Sequence, residues 1–500
     1  MGGPYSACDM SSQPVTWLPW VLKVTLVLLA AALSSRRRGI RDDDENHVQI
    51  VVLGDLGRSP RMQYHALSMA RNVGSVELVG YLESDLHPDI LATPSIKVRS
   101  LAKTPSILSP RGGFLFLLFA PLKVAFQTCA LLWVLLHSPK KPSWTLVQNP
   151  PSIPTLAVCL TTSLWHKSQL VIDWHNFGYS ILSLRLGQKH PLVYSSWVLE
   201  ACFGYFAFAH ICVSHAMARA LGSEFRISSQ VLILHDRPAS VFQPLTPKQR
   251  MSFLDRLCGK ELTDDGPSLL ISKFNLLSSE VRSDGVERLR NDVESVKRGI
   301  SKLVVSSTSW TSDEDFDMFL EALVDYSDRA QRLVLPSLLV IITGKGPNKA
   351  DFESRGRTLL QAGRLSYINL ATVYFDNVED YARLLGAADL GVSLHKSSGG
   401  VDLPMKVLDM FGAGLPVTGW CDYEAWPELV QEGRNGTGFK GSSELSERLQ
   451  NAFEENSKSL SRLRIGALEE GQHRWDEEWI ASAGKLFAGS AKAKSRMHRR

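Results

Sequence analysis

Lys406 and Asp409 stand three residues apart in the stretch VDLPMKVLDMFGAGLPV, Val401 to Val417, at the start of a helix that Pro404 can open. A lysine in a first helical turn opposes the dipole, which favours acids there. It makes sense beside an anion, where the ammonium, the unbonded backbone N–H groups and the dipole all act on one phosphate. Asp409, one turn further on, is placed to accept hydrogen bonds from the vicinal hydroxyls of a ribose. Gly412 and Gly414 then close the helix ahead of the strand LPVTG.

A second constellation opens the first apolar series. HVQIVVLGDLGRSPRMQYHALSMA, His47 to Ala70, has a strand, a glycine-bearing turn and a helical pattern, but lacks the G-x-G-x-x-G that brings a backbone against a pyrophosphate. Gly54 and Gly57 instead bracket Asp55, and Arg58 and Arg61 follow around Pro60. In VIDWHNFGYS, Asp173, His175 and Asn176 crowd onto a loop after a strand, where polar groups serve chemistry more often than folding. His175 can also be read as a helix cap, and Glu200 and His210 as structural. DDDENH and DEDFD are acidic enough to invite a metal. The first is a solvated spacer and the second begins a helix, where acids are expected on dipole grounds, so no protein metal ligand is expected.

The elements that must position these residues are legible as apolar runs. VQIVVL, VELVGY, WTLVQN, QLVIDW, HICVS and QVLILH form one series of strands; KLVVSS, SLLVIIT, TVYF, DLGVSL and LPVTGW form another. Continuous β-branched runs alternating with helical stretches indicate parallel sheets covered on both faces. The reading is α/β, with two doubly wound domains over residues 48–240 and 301–470. A linker and charged insertion, read as a loop, occupies 241–300. A helix over 471–488 crosses back to the first domain, and a basic tail fills 489–500.

The chain has 500 residues, 44% of them hydrophobic and 21% charged, with a formal charge of +4. That charge is too small and too scattered for a nucleic-acid binder. Seven cysteines without a C-x-x-C pair suit a reducing compartment. Ahead of the first domain, Trp17 to Leu33 is apolar apart from Lys23 and is followed by Arg36-Arg37-Arg38. Charge after the apolar run, not before it, marks an anchor instead of a cleaved signal. This gives a lumenal N-terminus over 1–16, one transmembrane helix over 17–35, a spacer over 36–47 and everything later in the cytosol. Phe114 to Leu136 is apolar on nearly every face and reads either as a buried helix or as one lying on a membrane surface with Lys123 reaching headgroups.

The Val401–Val417 text resembles the P-x-K-x-x-E-x-x-x-x-G-x-P-V segment of GT-B glycosyltransferases. VVLGDLGRSPRMQYHALSMA, QNPPSIPTLAV, LVIDWHNFGYS, SSTSWTSDEDFDMFLEAL, ITGKGP and DLPMKVLDMFG, in that order, are similar to the chitobiosyldiphosphodolichol β-mannosyltransferase family. The resemblance spans about Val48 to Trp479 without the charged insertion. It implies two Rossmann-like domains around a cleft that closes on the substrates, and transfer of mannose from GDP-mannose, with inversion, to dolichyl-diphosphate-linked chitobiose. The reaction belongs to the cytosolic face of the endoplasmic reticulum membrane, beside other mannosyltransferases of N-glycosylation, with no tightly bound cofactor and no nucleic acid. GT-B relatives carry an Arg and a Lys after the first strand of the second domain; SSTSWTSDEDF has neither, which leaves Lys345 and Lys406 as the cations for the donor diphosphate. Asp402 and Asp409 stand where the family pattern has paired glutamates, and Asp409 is the better ribose ligand. On the acceptor side the resemblance makes Asp55 the first candidate base and His175 the second. Arg58 and Arg61, on one helix face, would hold the lipid diphosphate, unless they bind Asp55 or loop carbonyls and merely hold the turn. A membrane-tethered, non-catalytic GT-B partner and a sugar-nucleotide epimerase are the other classes such a chain allows.

Overall fold

The computed structural model describes residues 47–108, 113–258, 262–263, 266–267, 273–277, 282–454 and 458–487. The apolar run Trp17–Leu33, the arginine triplet, most of the acidic spacer and the tail 489–500 lie outside the described residues. Contacts divide the chain into two compact units. One holds residues up to Ile211, Phe225–Val231 and the chain from Leu486; the other holds Cys212–Glu224 and Leu232–Lys485.

In the first unit the chain runs β1 (Val48–Asp55), α1 (Pro60–Asn72), β2 (Val76–Tyr81), α2 (Pro88–Ala92), β3 (Ile96–Ser100), α3 (Gly113–Leu136), β4 (Trp144–Asn149), α4 (Thr155–His166), β5 (Gln169–Trp174), α5 (Gly178–Leu186), α6 (Pro191–Tyr205), β6 (Ala209–Cys212) and β7 (Gln230–Ile233), while α7 (His215–Ser223), between the last two strands in sequence, belongs to the second unit. The sheet order is β3-β2-β1-β4-β5-β6-β7, with Val48 of β1 facing Val76 on one side and Trp144 on the other in parallel register. Val48, Ile50, Val51 and Val52 are fully buried, as a continuous apolar run requires when both sheet faces are covered. The strand order reverses between β1 and β4, so the loops after β1, β4 and β5 hang where doubly wound sheets hold their ligands. β3 was not expected. It is a sheet edge whose Ile96 and Val98 alternate with Lys97 and Arg99, too polar a pattern to stand out.

α3 settles one of the open readings. Of its described side chains only Leu131, Val134 and Leu135 are buried, while Leu122, Ala125, Cys129 and Trp133 form an exposed stripe at three- and four-residue spacing. It is therefore not a core helix. The Arg99 guanidinium donates to the Val134 and His137 carbonyls at its end and pairs with Glu77.

The second unit adds α8 (Pro247–Leu257), the short pair β8 (Leu262–Thr263) and β9 (Gly266–Pro267), then β10 (Asn275–Leu276), α9 (Arg282–Lys297), β11 (Ser301–Ser307), α10 (Phe316–Leu333), β12 (Ser337–Thr343), α11 (Lys349–Gln361), β13 (Ile368–Val373), α12 (Val378–Ala387), β14 (Leu390–Ser393), α13 (Met405–Gly412), β15 (Val417–Trp420), α14 (Trp426–Leu429), β16 (Gly436–Phe439), α15 (Ser442–Phe453), α16 (Ser459–Gly471) and α17 (Trp475–Ala481). Its sheet order is β10-β13-β12-β11-β14-β15-β16, reversing between β11 and β14. The core beneath includes Trp310, Phe319, Tyr326 and Phe352.

Residues 241–300 are a correction to the loop reading. α8 and α9 are packed helices of this unit: Phe253, Leu254 and Leu257 are buried, as are Leu289, Val293 and Val296. The Arg250 Nε donates to the Ala387 carbonyl at 2.8 Å, and Lys297 reaches Asp255 at 2.6 Å. Of the segment read as one helix over 471–488, the chain forms the short helix α17. α17 belongs to the second unit, and Phe487 then packs edge-on against Trp144 of the first, 4.9 Å between ring centroids.

Candidate active site

Asp55 ends β1 and caps the tight turn Leu56–Arg58. Its Oδ1 accepts from the backbone N–H of Glu83 at 3.0 Å, of Ser84 at 3.2 Å and of Gly57 at 3.3 Å. Burial works against its charge, but the hydrogen bonds from Ser84, Glu83 and Gly57 outweigh that and hold the carboxyl below the ordinary aspartate range. Gly57 is a glycine for the same reason: a Cβ there would lie 2.5 Å from the Asp85 carbonyl oxygen. The turn after β1 thus holds the loop after β2 through one oxygen of its carboxylate.

Arg58 and Arg61 do not share a face. Arg58 is 83% exposed, with Nε 3.6 Å from Asp55. Arg61 is 4% exposed and pairs with Asp173 through two parallel bonds, Nε to Oδ2 and Nη2 to Oδ1, both 2.9 Å. Asp173, at the end of β5, is fully buried and also meets His175 Nε2 at 2.8 Å and His65 Nε2 at 3.3 Å. Burial alone would raise its pKa; Arg61, His175 and His65 together pull it well below the usual value. His65 is itself buried, which lowers its pKa against the pull of Asp173. An ionised carboxylate only accepts, so the His175 Nε2 must carry a proton, and in the neutral ring Nδ1 keeps the lone pair. The His175 side chain is 25% exposed, the one partly open member of the cluster.

Two further polar groups fix the neighbouring loops, as the sequence reading had them. Glu200 accepts from Asn149 Nδ2, Ser152 Oγ and the N–H of Gly178 and Tyr179, tying the loop after β4 to the start of α5. The Trp174 indole donates to His210 Nδ1 at 2.9 Å, and His210 Nε2 meets Ser229; burial lowers its pKa to about 4.

In the second unit the loops after β11, β12 and β14 meet at the strand reversal. His395, directly after β14, lies between Asp313 (Nδ1 to Oδ2, 3.2 Å) and Asp402 (Nε2 to Oδ2, 3.1 Å). Burial would lower its pKa, but these two bonds push it up to about 10, while Asp313, bonded by His395, falls to about 2. Lys396 pairs with Asp315 at 2.9 Å and lies over the Trp420 ring. Asp315 caps α10 by accepting from the Met318 N–H, as expected of acids at a helix start. The loop carrying Lys345 is pressed onto the β11 loop: a Cβ on Gly344 or Gly346 would come within 1.9 Å of the Thr308 or Ser309 carbonyl oxygen. Lys345 itself is 67% exposed, 3.9 Å from Asp376 and 3.5 Å from the Tyr374 ring centroid.

Lys406 and Asp409 fall on α13 as the spacing indicated, in its first and second turns. Asp409 is hemmed in, and that desolvation raises its pKa to about 7 against the pull of Lys406 and a hydrogen bond with Tyr381. The Tyr381 hydroxyl also reaches Ser307 at the end of β11, 3.0 Å away. His395 was missed by sequence reasoning. Its only signal was a histidine just past a strand, in a chain whose DEDF acids face the same end of the same sheet.

Among the described residues one group has metal-ligand spacing: His215, His235 and Glu428. Glu428 caps α7, accepting from the N–H of His215 and Ala216, and His235 Nδ1 is bonded to Glu478 at 2.9 Å, so these groups already have structural partners.

No protein-family model matches the chain. A chitobiosyldiphosphodolichol β-mannosyltransferase of Arthroderma benhamiae is 42% identical over 448 residues, covering 89% of this chain and 91% of that one. The chain belongs to the chitobiosyldiphosphodolichol β-mannosyltransferase family. A protein of Arabidopsis thaliana named UDP-glycosyltransferase TURAN is 39% identical, over 88% of this chain and 96% of its own. Among solved structures, sucrose-phosphate synthase of Thermosynechococcus elongatus superposes with a TM-score of 0.59 at 13% identity, covering 89% of this chain and 99% of its own. The two doubly wound units are those of the GT-B fold, and this member of the family is a glycosyltransferase. Family membership leaves the roles of its side chains to the geometry above.

Proposed function

We propose that the chain transfers mannose from GDP-mannose to dolichyl-diphosphate chitobiose, forming a β-1,4 linkage by one inverting displacement. The observation that carries this is the match along about nine-tenths of both chains to an enzyme named for that acceptor and for β-mannosyl transfer. The GlcNAc hydroxyl oxygen attacks the mannose anomeric carbon, the bond to GDP breaks, and the hydroxyl proton must pass to a base.

That base is His175, ahead of Asp55. Asp173 fixes the ring through Nε2 and leaves Nδ1 to take the proton, whereas Asp55 has one oxygen, Oδ1, given to three backbone donors that help hold its carboxyl below the ordinary aspartate range. Arg61 is likewise committed, so Arg58 alone of the two is offered to the acceptor diphosphate. On the donor, Lys406 at the start of α13 and the exposed Lys345 meet the departing GDP charge, and Asp409 takes the ribose. The reaction uses no protein-bound metal in this reading.

The localisation is the endoplasmic reticulum membrane, with Trp17–Leu33 as the single anchor, both units in the cytosol and the outward apolar stripe of α3 against the lipid surface. Protease added to intact microsomes then digests the bulk of the chain; protection until detergent is added would reverse the orientation.

A donor screen with purified chain and phytanyl- or dolichyl-diphosphate chitobiose tests the activity, reading product mass and nucleotide release. GDP-mannose is the donor expected, with GDP released only when the lipid is present. The TURAN name makes a UDP-sugar the competing donor, and product from a UDP-sugar alone would sink the proposal.

A further inference from the structure

Arg61 was the side chain that sequence reasoning gave to a phosphate, and the structure gives it instead to Asp173. The four groups Arg61, His65, Asp173 and His175 come from two elements, α1 and the end of β5. They are the charged or titratable groups recorded in mutual contact here among the described residues. A lone carboxylate beside an imidazole orients it but also favours its protonated form. A fork-shaped guanidinium bound through both nitrogens removes that negative charge while leaving the carboxylate oxygen in place as an acceptor. Asp173 Oδ2 serves both at once, 2.9 Å from Arg61 Nε and 2.8 Å from His175 Nε2.

We infer that Arg61 is a positioning residue for His175: its guanidinium takes up the charge of Asp173, and the carboxylate then aims the ring through Nε2 and leaves Nδ1 open. The inference rests on the assignment of His175 as the base, yet its physical content, control of one imidazole's charge by one guanidinium, can be read without turnover. His65, the remaining neighbour, is kept neutral by burial and supplies packing, not charge. The arrangement also explains why a buried arginine stands in the loop-and-helix segment that sequence alone would give to a ligand.

The experiment is a pH titration of the His175 ring by NMR, in detergent-solubilised full-length chain carrying ¹³C-labelled histidine, with His175→Gln identifying the signal. Arg61→Met leaves Asp173 unmatched and moves the titration midpoint up by a unit or more. Asp173→Asn removes the carboxylate while Arg61 keeps its charge, and moves it down. The double variant Arg61→Met/Asp173→Asn, neutral and of similar shape, returns it close to the wild-type position. The acid limb of kcat/KM follows the same three shifts. If Arg61→Met does not fold, the Asp173→Asn and double variants carry the comparison. Midpoints that stay put in the folded variants overturn the inference, as does an Arg61→Met chain whose only change is a higher KM for the lipid acceptor. Should the NMR midpoints move while His175→Gln keeps wild-type turnover, the electrostatic device stands and the base assignment falls.

Discussion

Two histidines, His175 in the first unit and His395 in the second, are built from the same residue types to opposite ends. His395 has a carboxylate on each ring nitrogen, and those bonds push its pKa up to about 10, so at neutral pH it is an imidazolium stitching the β11 loop to the β14 loop. His175 has one carboxylate, on one nitrogen, and that carboxylate is already matched by Arg61. One histidine is an ion used as a rivet; the other keeps a nitrogen for a proton. The charges around the ring, more than its burial, distinguish the histidine proposed as the base from the one that ties two loops together.

That contrast can be broken most directly at His175. His175→Gln is expected to cost about 10³-fold in turnover, the scale of a lost general base, with both substrates still bound; product mass and donor binding by calorimetry check it, and full turnover would remove His175 from the reaction. His395→Gln should act instead on stability, by about 2 kcal/mol, because it leaves two partly buried carboxylates without the charged donor that bonds both. The sign with pH is specific. The folded pKa of about 10 stands above the unfolded value near 6.5, so the contribution is complete below about pH 6.5 and is lost as pH rises towards 10. The wild-type advantage in thermal midpoint should therefore shrink from pH 7 to pH 10, and a gap that widens would contradict the rivet.

Lys406→Ala comes next, at about 2 kcal/mol of lost transition-state stabilisation, read as kcat/KM for GDP-mannose; wild-type values would free Lys406 from the donor. The smallest effect belongs to Arg58. Arg58→Ala should weaken the diphosphate-linked acceptor by about 1 kcal/mol, the scale of an exposed charge contact, and leave diphosphate-free chitobiose unaffected; equal losses on both would return Arg58 to holding the turn.

Much of the fold was open to reading because parallel strands buried on both faces announce themselves: VQIVVL, QLVIDW and SLLVIIT needed no partner to be recognised. What escaped was diluted or distant. The Leu289, Val293, Val296 stripe of α9 has helical spacing, but the charges between its members hid it. β3 alternates as an edge strand should and so lacks an apolar run. At the site, α13 placed Lys406 and Asp409 through purely local rules. The Arg61–Asp173 pair spans 112 residues and the His395–Asp313 pair 82, and no spacing rule reaches so far. Arg61 in particular looked available because a sequence shows a charge without the opposite charge that cancels it.

Gly344 and Gly346 leave no room for a side chain against the Thr308 and Ser309 carbonyls, and the loop they press on leads directly to Asp313 and Asp315, the partners of His395 and Lys396. Three loops are thereby locked as one unit. A side chain added to the glycine turn displaces the acidic turn, and with it the partners that hold the histidine turn.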